Sequence, residues 1–198
     1  MGRSLTNGRI AVVCDGHEEA ASISPQPQMN ERIVYLNGEV TESSISQVIA
    51  ALVGLSSIDK FAPITLIVST YGGSVDEMFS LYDIIRHLSC PVHTIGLGKV
   101  MSAGILLLAS GKKGFRLVGK HARLMIHPIS SGTGGTVFEM SNDTNEFLRQ
   151  QAVMQEALVS ETSMTRAQVE KIMLAGHDTY LTAKDAIKLG IVDKIIGE

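Results

Sequence analysis

Two hydrophobic periods alternate along this chain, and that alternation limits the folds open to it more than any other feature. Ile64-Thr-Leu-Ile-Val-Ser69 is a short, nearly continuous apolar run that stops at Tyr71-Gly72-Gly73. It reads as a buried strand. Ser74-Val75-Asp76-Glu77 has the form of a capping box. Beyond it, Val75, Met78, Leu81, Tyr82, Ile85 and Leu88 recur at the spacing of a helix lying on a sheet. The same order of strand and helix returns along the chain. Arg32–Leu36 predicts a strand, Asn37-Gly38 a turn, and Thr41 the cap of a helix running to about Leu55. Val92–Gly96 predicts a strand, followed by a helix entered at Ser102, and Arg123–Ile126 predicts a strand ending at His127-Pro128. Gly132-Thr133-Gly134-Gly135 opens a longer helix, from about Phe138 to Glu161, whose charged face predicts projection into solvent or another subunit. Thr165 and Thr182 head two further capping boxes, for helices ending near Gly176 and Gly190, and Ile191–Ile196 is a last short strand. Repeated strand–helix order predicts an α/β fold with parallel pairing and right-handed crossovers.

The totals narrow the function. The 198 residues suit one domain, preceded by a polar, proline-broken arm over residues 1–30 with a short strand at Arg9–Cys14. A net charge of −3 gives no basic field for nucleic acid and no polybasic membrane patch. No apolar run approaches the roughly 18–20 residues of a membrane helix. Cys14 and Cys90 lie far apart without metal-ligand spacing, so no metal is expected, and a reduced, cytoplasmic setting is the simplest reading. No P-loop pattern occurs, so no nucleotide cofactor is expected in this chain.

Three residues carry the candidate chemistry. Ser102 stands before Ala103-Gly-Ile-Leu-Leu-Leu-Ala-Ser-Gly111, at the positive end of a buried helix. A plain helix cap is the commoner role for such a serine, but the free N–H groups there also suit an oxyanion and the hydroxyl a nucleophile. His127 closes a strand 25 residues on, and Asp178 lies in Gly176-His177-Asp178-Thr179-Tyr180. Singly, each is more often structural. In open α/β sheets, however, sites gather at the carboxyl ends of strands. The chain order Ser, His, Asp differs from that of α/β-hydrolases and chymotrypsin-like enzymes, and Val100 breaks the G-x-S-x-G elbow. Lys99 raises a Ser–Lys dyad as an alternative.

The ordered set of motifs resembles the proteolytic subunit of the caseinolytic Clp protease, the ClpP family. It comprises Arg32-Ile-Val-Tyr-Leu-Asn-Gly-Glu-Val40, Gly72-Gly-Ser-Val75, Leu81-Tyr-Asp-Ile-Ile85, Ser102-Ala-Gly104, Leu107-Leu-Ala-Ser-Gly111, Met125-Ile-His127, Asp178-Thr-Tyr-Leu-Thr-Ala183, Leu189-Gly190 and Val192-Asp193. The resemblance spans about Glu31 to Ile196. It implies a ClpP/crotonase-like fold of repeated β-β-α units over residues 31–198, with a protruding handle at about 132–161. It implies Ser102 as nucleophile, His127 as base, Asp178 as orienting acid, and the N–H groups of Gly73 and Ala103 as oxyanion hole. It further implies a heptameric ring, two such rings stacked through the handle, and unfolded polypeptide substrates. A separate AAA+ unfoldase would use the ATP. The chain departs from the family pattern at Tyr71 in place of a proline, at Pro128 directly after His127, and at Gly176-His177 in place of an acid and an arginine that pair across rings. The segment before Arg32 does not resemble the family's axial loop. These mark a divergent member and fit a phage or organelle-like lineage. Two other functions share the fold: a crotonase-like acyl-CoA enzyme, which needs neither Ser102 nor His127, and a non-catalytic ring subunit.

Overall fold

The computed structural model describes residues 32–198; the expected arm over residues 1–30 and its strand lie outside the described residues. In chain order the elements are β1 (Ile33–Asn37), α1 (Glu42–Ile58), β2 (Ile64–Thr70), α2 (Val75–His87), β3 (Val92–Met101), α3 (Ala103–Ala109), β4 (Arg116–Val118), β5 (Arg123–Ile126), α4 (Val137–Glu161), α5 (Arg166–Met173), β6 (Thr179–Leu181), α6 (Ala183–Lys188) and β7 (Lys194–Ile195). One sheet runs β1-β2-β3-β4-β7, all parallel, as the strand–helix alternation predicts. β5 also pairs parallel with β3, and β6 closes antiparallel on β5.

A two-residue bulge explains how β3 serves two neighbours. Val68 pairs with Gly96 but Thr70 pairs with Val100, so β3 carries extra residues there, with Gly98 at φ 63. Before the bulge Thr94–Gly96 pairs with β4; after it Lys99–Met101 pairs with β5. The strand expected to stop at Gly96 therefore continues to Met101 and delivers Ser102 at its carboxyl end. β4 is a three-residue strand that the alternation pattern did not flag, and the last strand is only Lys194–Ile195.

The core lies on one face of the sheet. Alternate residues of β2 (Ile64, Leu66, Val68, Thr70) are buried, and they meet Met78, Leu81 and Ile85 of α2, the stripe read from the sequence. α3 is buried at all seven positions, from Ala103 to Ala109. Glycines allow its close approach: a Cβ on Gly104 would lie 2.6 Å from Thr70 Cγ2, and one on Gly96 2.9 Å from Leu108 Cδ2. Arg116 ties the far end together. Its guanidinium donates to Ala109 O (3.3 Å) at the end of α3, to Glu161 O (2.6 Å) at the end of α4, and in two bonds to the Asp193 carboxylate (3.0 and 2.7 Å).

α4 differs from the other helices. Only Met154, Leu158 and Glu161, in its last turns, are buried. Val137 and Phe138 at its start are 74% and 84% exposed. A complete capping box at Thr136–Glu139 starts it, so the helix begins one residue before the expected Phe138. The box expected at Ser74 is only half made: Ser74 Oγ accepts from Glu77 N–H at 3.3 Å, without the reciprocal bond.

Candidate active site

Ser102 occupies the N-cap position of α3 yet does not cap it: its side chain makes no bond to the helix. Among the described residues it is the only non-glycine with positive φ (φ 53, ψ −121). Such a conformation typically costs about 1–3 kcal/mol and persists only where the surroundings impose it. Here β3 feeds the residue in, and Ser102 N–H donates to Met125 O on β5 (2.9 Å). On the other side, the fully buried α3 starts at the next residue. The hydroxyl, turned away from its own helix, meets His127: Ser102 Oγ and His127 Nε2 are 2.8 Å apart.

His127 reaches this position because β5 lies beside β3, which puts the two carboxyl ends together. For Ser102 to donate to Nε2, the other ring nitrogen must carry the hydrogen. That nitrogen, Nδ1, faces Asp178 Oδ1 at 3.4 Å, long for a hydrogen bond. Asp178 arrives just before β6, whose antiparallel pairing puts Thr179 opposite Ile126. The His127 side chain is 25% exposed and that of Asp178 46%. The three residues separated by 25 and 51 positions in sequence are thus brought into one line.

The Gly72-Gly73 turn forms the facing edge. Thr70, fully buried, receives Gly72 N–H on Oγ1 (2.9 Å). Gly72 has φ 105, and a Cβ there would lie 2.6 Å from Ser102 Cβ and 3.1 Å from its Oγ. Gly73 has φ 149, and a Cβ there would overlap the Val40 carbonyl. The parallel bridge at Val40 uses Val40 N–H to Gly72 O and Ser74 N–H to Val40 O, both 2.8 Å. That arrangement turns the Gly73 N–H away from the bridge. The Ala103 N–H, in the first turn of α3, has no intrahelical acceptor. Gly73, Ser102, Ala103 and His127 line one cavity of about 40 Å³, with Val75, Met78, Pro128, Ile129, Ser130 and Met154 as its other walls. This volume holds little more than a water or a single carbonyl oxygen.

Lys99 does not join the cluster. Its ammonium bonds Ser69 Oγ (3.3 Å) and stands over the Tyr71 ring, 5.3 Å from the centroid. The substituted Tyr71 thus serves as a perch for Lys99, and the geometry gives the Ser–Lys alternative no support. His177 is exposed, with Nδ1 3.3 Å from Asp178 O, and Gly176 sits in a turn at φ 71. The groups missed from sequence are those that brace the cleft: Thr70, Val40, Met78, Met154 and Gln151. Thr70 had a faint signal, a polar residue closing an apolar strand before the glycine pair. Gln151 had none, because its role depends on where α4 crosses.

The chain as a whole is similar to known proteins. The family model described as Clp protease matches residues 16–198. The ATP-dependent Clp protease proteolytic subunit 2 of Corynebacterium glutamicum is 32% identical over 168 residues, 85% of this chain and 83% of the relative. Proteolytic subunit 1 of Corynebacterium jeikeium is also 32% identical over 168 residues, covering 85% of this chain and 88% of the relative.

Proposed function

The chain belongs to the Clp protease family, and from that premise we propose that it is a serine endopeptidase with Ser102 as nucleophile, His127 as general base and Asp178 as the residue that orients the base. The observation that carries this reading is the 2.8 Å approach of Ser102 Oγ to His127 Nε2, made by a serine in an imposed conformation that leaves its helix uncapped.

The chemistry follows from the positions. Oγ attacks the carbonyl carbon of the scissile amide while His127 Nε2 takes its proton. The carbonyl oxygen becomes an oxyanion and is received by the N–H groups of Gly73 and Ala103, each donor contributing about 3 kcal/mol in the transition state. His127 returns the proton to the departing amine as the C–N bond breaks, leaving an acyl-serine. A water then loses a proton to Nε2, attacks the ester carbon, and Ser102 leaves with that proton. Asp178 supports this by facing Nδ1–H, which keeps Nε2 free to accept and stabilises the imidazolium.

The substrate class and assembly belong to the same proposal. The relatives are named as proteolytic subunits of an ATP-dependent protease, which supports a peptidase fed with unfolded polypeptide by a separate ATP-driven AAA+ unfoldase. Exposed Val137, Phe138 and Leu148 along α4 support its burial in an oligomer, here a seven-membered ring stacked on a second ring. Among the described residues no helix is long and apolar enough to cross a membrane. The test of the chemistry is hydrolysis of a short fluorogenic peptide without ATP: wild type cuts it and Ser102→Ala does not. A Ser102→Ala variant that cuts at near wild-type rate rejects the triad. The test of assembly is native mass, and a preparation holding only monomers or dimers at micromolar protein rejects the rings.

A further inference from the structure

The segment that leads on from His127 packs Ile129 against the core and takes its hydrogen bonds from side chains of α4. From Pro128 to Gly135 the chain makes no backbone–backbone hydrogen bond among the described residues. Both of its hydrogen bonds to the rest of the fold go to side chains of α4. Ile129 N–H donates to Gln151 Oε1 at 3.2 Å, and Thr133 Oγ1 donates to the Asp143 carboxylate. The first attachment is the one near the chemistry. Pro128 follows His127 directly and has no N–H, so the Ile129 N–H is the first donor after the catalytic base. The Pro128 ring fixes its own φ, and little freedom therefore separates the point where Gln151 holds the chain from the His127 backbone. Gln151 is itself only partly exposed, and one turn further on Met154 is buried against the same cavity that Pro128 and Ile129 line.

We propose that Gln151 is a positioning residue: by accepting the Ile129 N–H it sets the backbone of the His127-Pro128-Ile129 segment, and through it the aim of His127 Nε2 at Ser102 Oγ. The proposal rests on the reading of Ser102 and His127 as nucleophile and base. It is sharpened by its neighbour. Gln150, also on α4, donates to Asp76 Oδ1 at 3.1 Å across an exposed contact with α2, whereas Gln151 bonds Ile129.

The experiment uses the full chain, in its assembled state, with a fluorogenic peptide. Gln151→Met keeps the length of the side chain and removes the acceptor; Gln151→Glu keeps an acceptor. Gln151→Met is expected to lower kcat by roughly tenfold, the scale of one net hydrogen bond acting through geometry, with KM within about twofold and Tm within about 2 °C. Gln151→Glu is expected to recover kcat to within about threefold of wild type, and Gln150→Met to stay within about twofold. A Gln151→Met enzyme with wild-type kcat overturns the proposal. So does an equal fall in both Gln151 variants accompanied by a fall in Tm, which would make the residue a packing element. Wild type is probed in parallel with a fluorophosphonate: labelled wild type with an unaffected Gln151→Met rejects only the positioning role, whereas unlabelled wild type rejects the serine nucleophile itself.

Discussion

On one edge of the cleft, Ser102, Gly72 and Gly73 sit where β2, β3 and α3 meet, each in a backbone conformation that the buried core imposes. On the other edge, His127 and Asp178 stand at the paired ends of β5 and β6, are 25% and 46% exposed, meet at 3.4 Å, and are followed on the His127 side by a segment without backbone pairing. The Ser102 and Gly72-Gly73 edge is therefore built into the fold, while His127 and Asp178 are carried on β5 and at the start of β6, with one further tie from α4. Catalytic hydrogen bonds are often long before substrate binds, and the geometry here places that slack on the Asp178 side alone. The conformation of Ser102 is held by the fully buried α3 that starts at the next residue, whereas His127 is the first residue beyond β5 and its ring meets only Ser102 and Asp178.

The largest effects are expected at the rigid edge. Ser102→Ala is expected to lower kcat for a peptide by about 10⁴-fold or more while leaving Tm near wild type, since the hydroxyl caps nothing. Gly72→Ala adds a Cβ against Ser102 at a φ of 105, and is expected to reduce kcat/KM by roughly 10²- to 10³-fold. Were Gly72→Ala harmless, the edge would not be rigid. At the looser edge, Asp178→Asn should be gentler than in a triad with a short, buried acid, about 10²-fold in kcat, measured by the same assay. A loss matching that of Ser102→Ala would show that the acid is as firmly engaged as the nucleophile.

Away from the cleft, Asp193 tests what anchors the base of α4. Burial pushes its carboxyl up, but bonds from Arg116 and from the Arg116 and Gly114 N–H groups outweigh this, and the net shift is down. A depressed carboxyl contributes stability that is complete above its unfolded value, about 4, and is lost as pH falls through the folded value. Asp193→Asn is therefore expected to destabilise by about 3 kcal/mol at pH 7, because it leaves buried Arg116 without its counter-charge. Urea unfolding of both proteins from pH 7 downward checks it: the gap should narrow below about pH 4. A gap independent of pH would mean that the Arg116 charge pairing contributes nothing.

How much of this was legible follows the same division. The α2 stripe, the glycine pair and the fully apolar α3 are local patterns, and the sequence placed them because one face or one run decides each. The bulge in β3 was not legible: Gly96-Leu97-Gly98 reads as a strand ending, and only its pairing with both β4 and β5 shows the strand continuing to Met101. Thr136–Glu139 was a readable capping box overshadowed by the glycines before it. Ser102 and His127 were singled out by residue type and position at strand ends, Asp178 as a loop acid before the last capped helix, and the resemblance supplied the roles of all three. Gln151 and Met154 could not be found this way, because their part in the cleft is set by how α4 packs beside α3.

If the imposed conformation of Ser102 makes it the nucleophile, the residue reacts with an electrophile that targets activated serines. A fluorophosphonate incubated with the assembled wild-type protein, followed by digestion and mass mapping of the adduct, tests it most directly. A single adduct on Ser102 is expected, absent from Ser102→Ala and slowed in His127→Ala. An assembled wild-type protein that takes no label, or takes it on another residue, would contradict it.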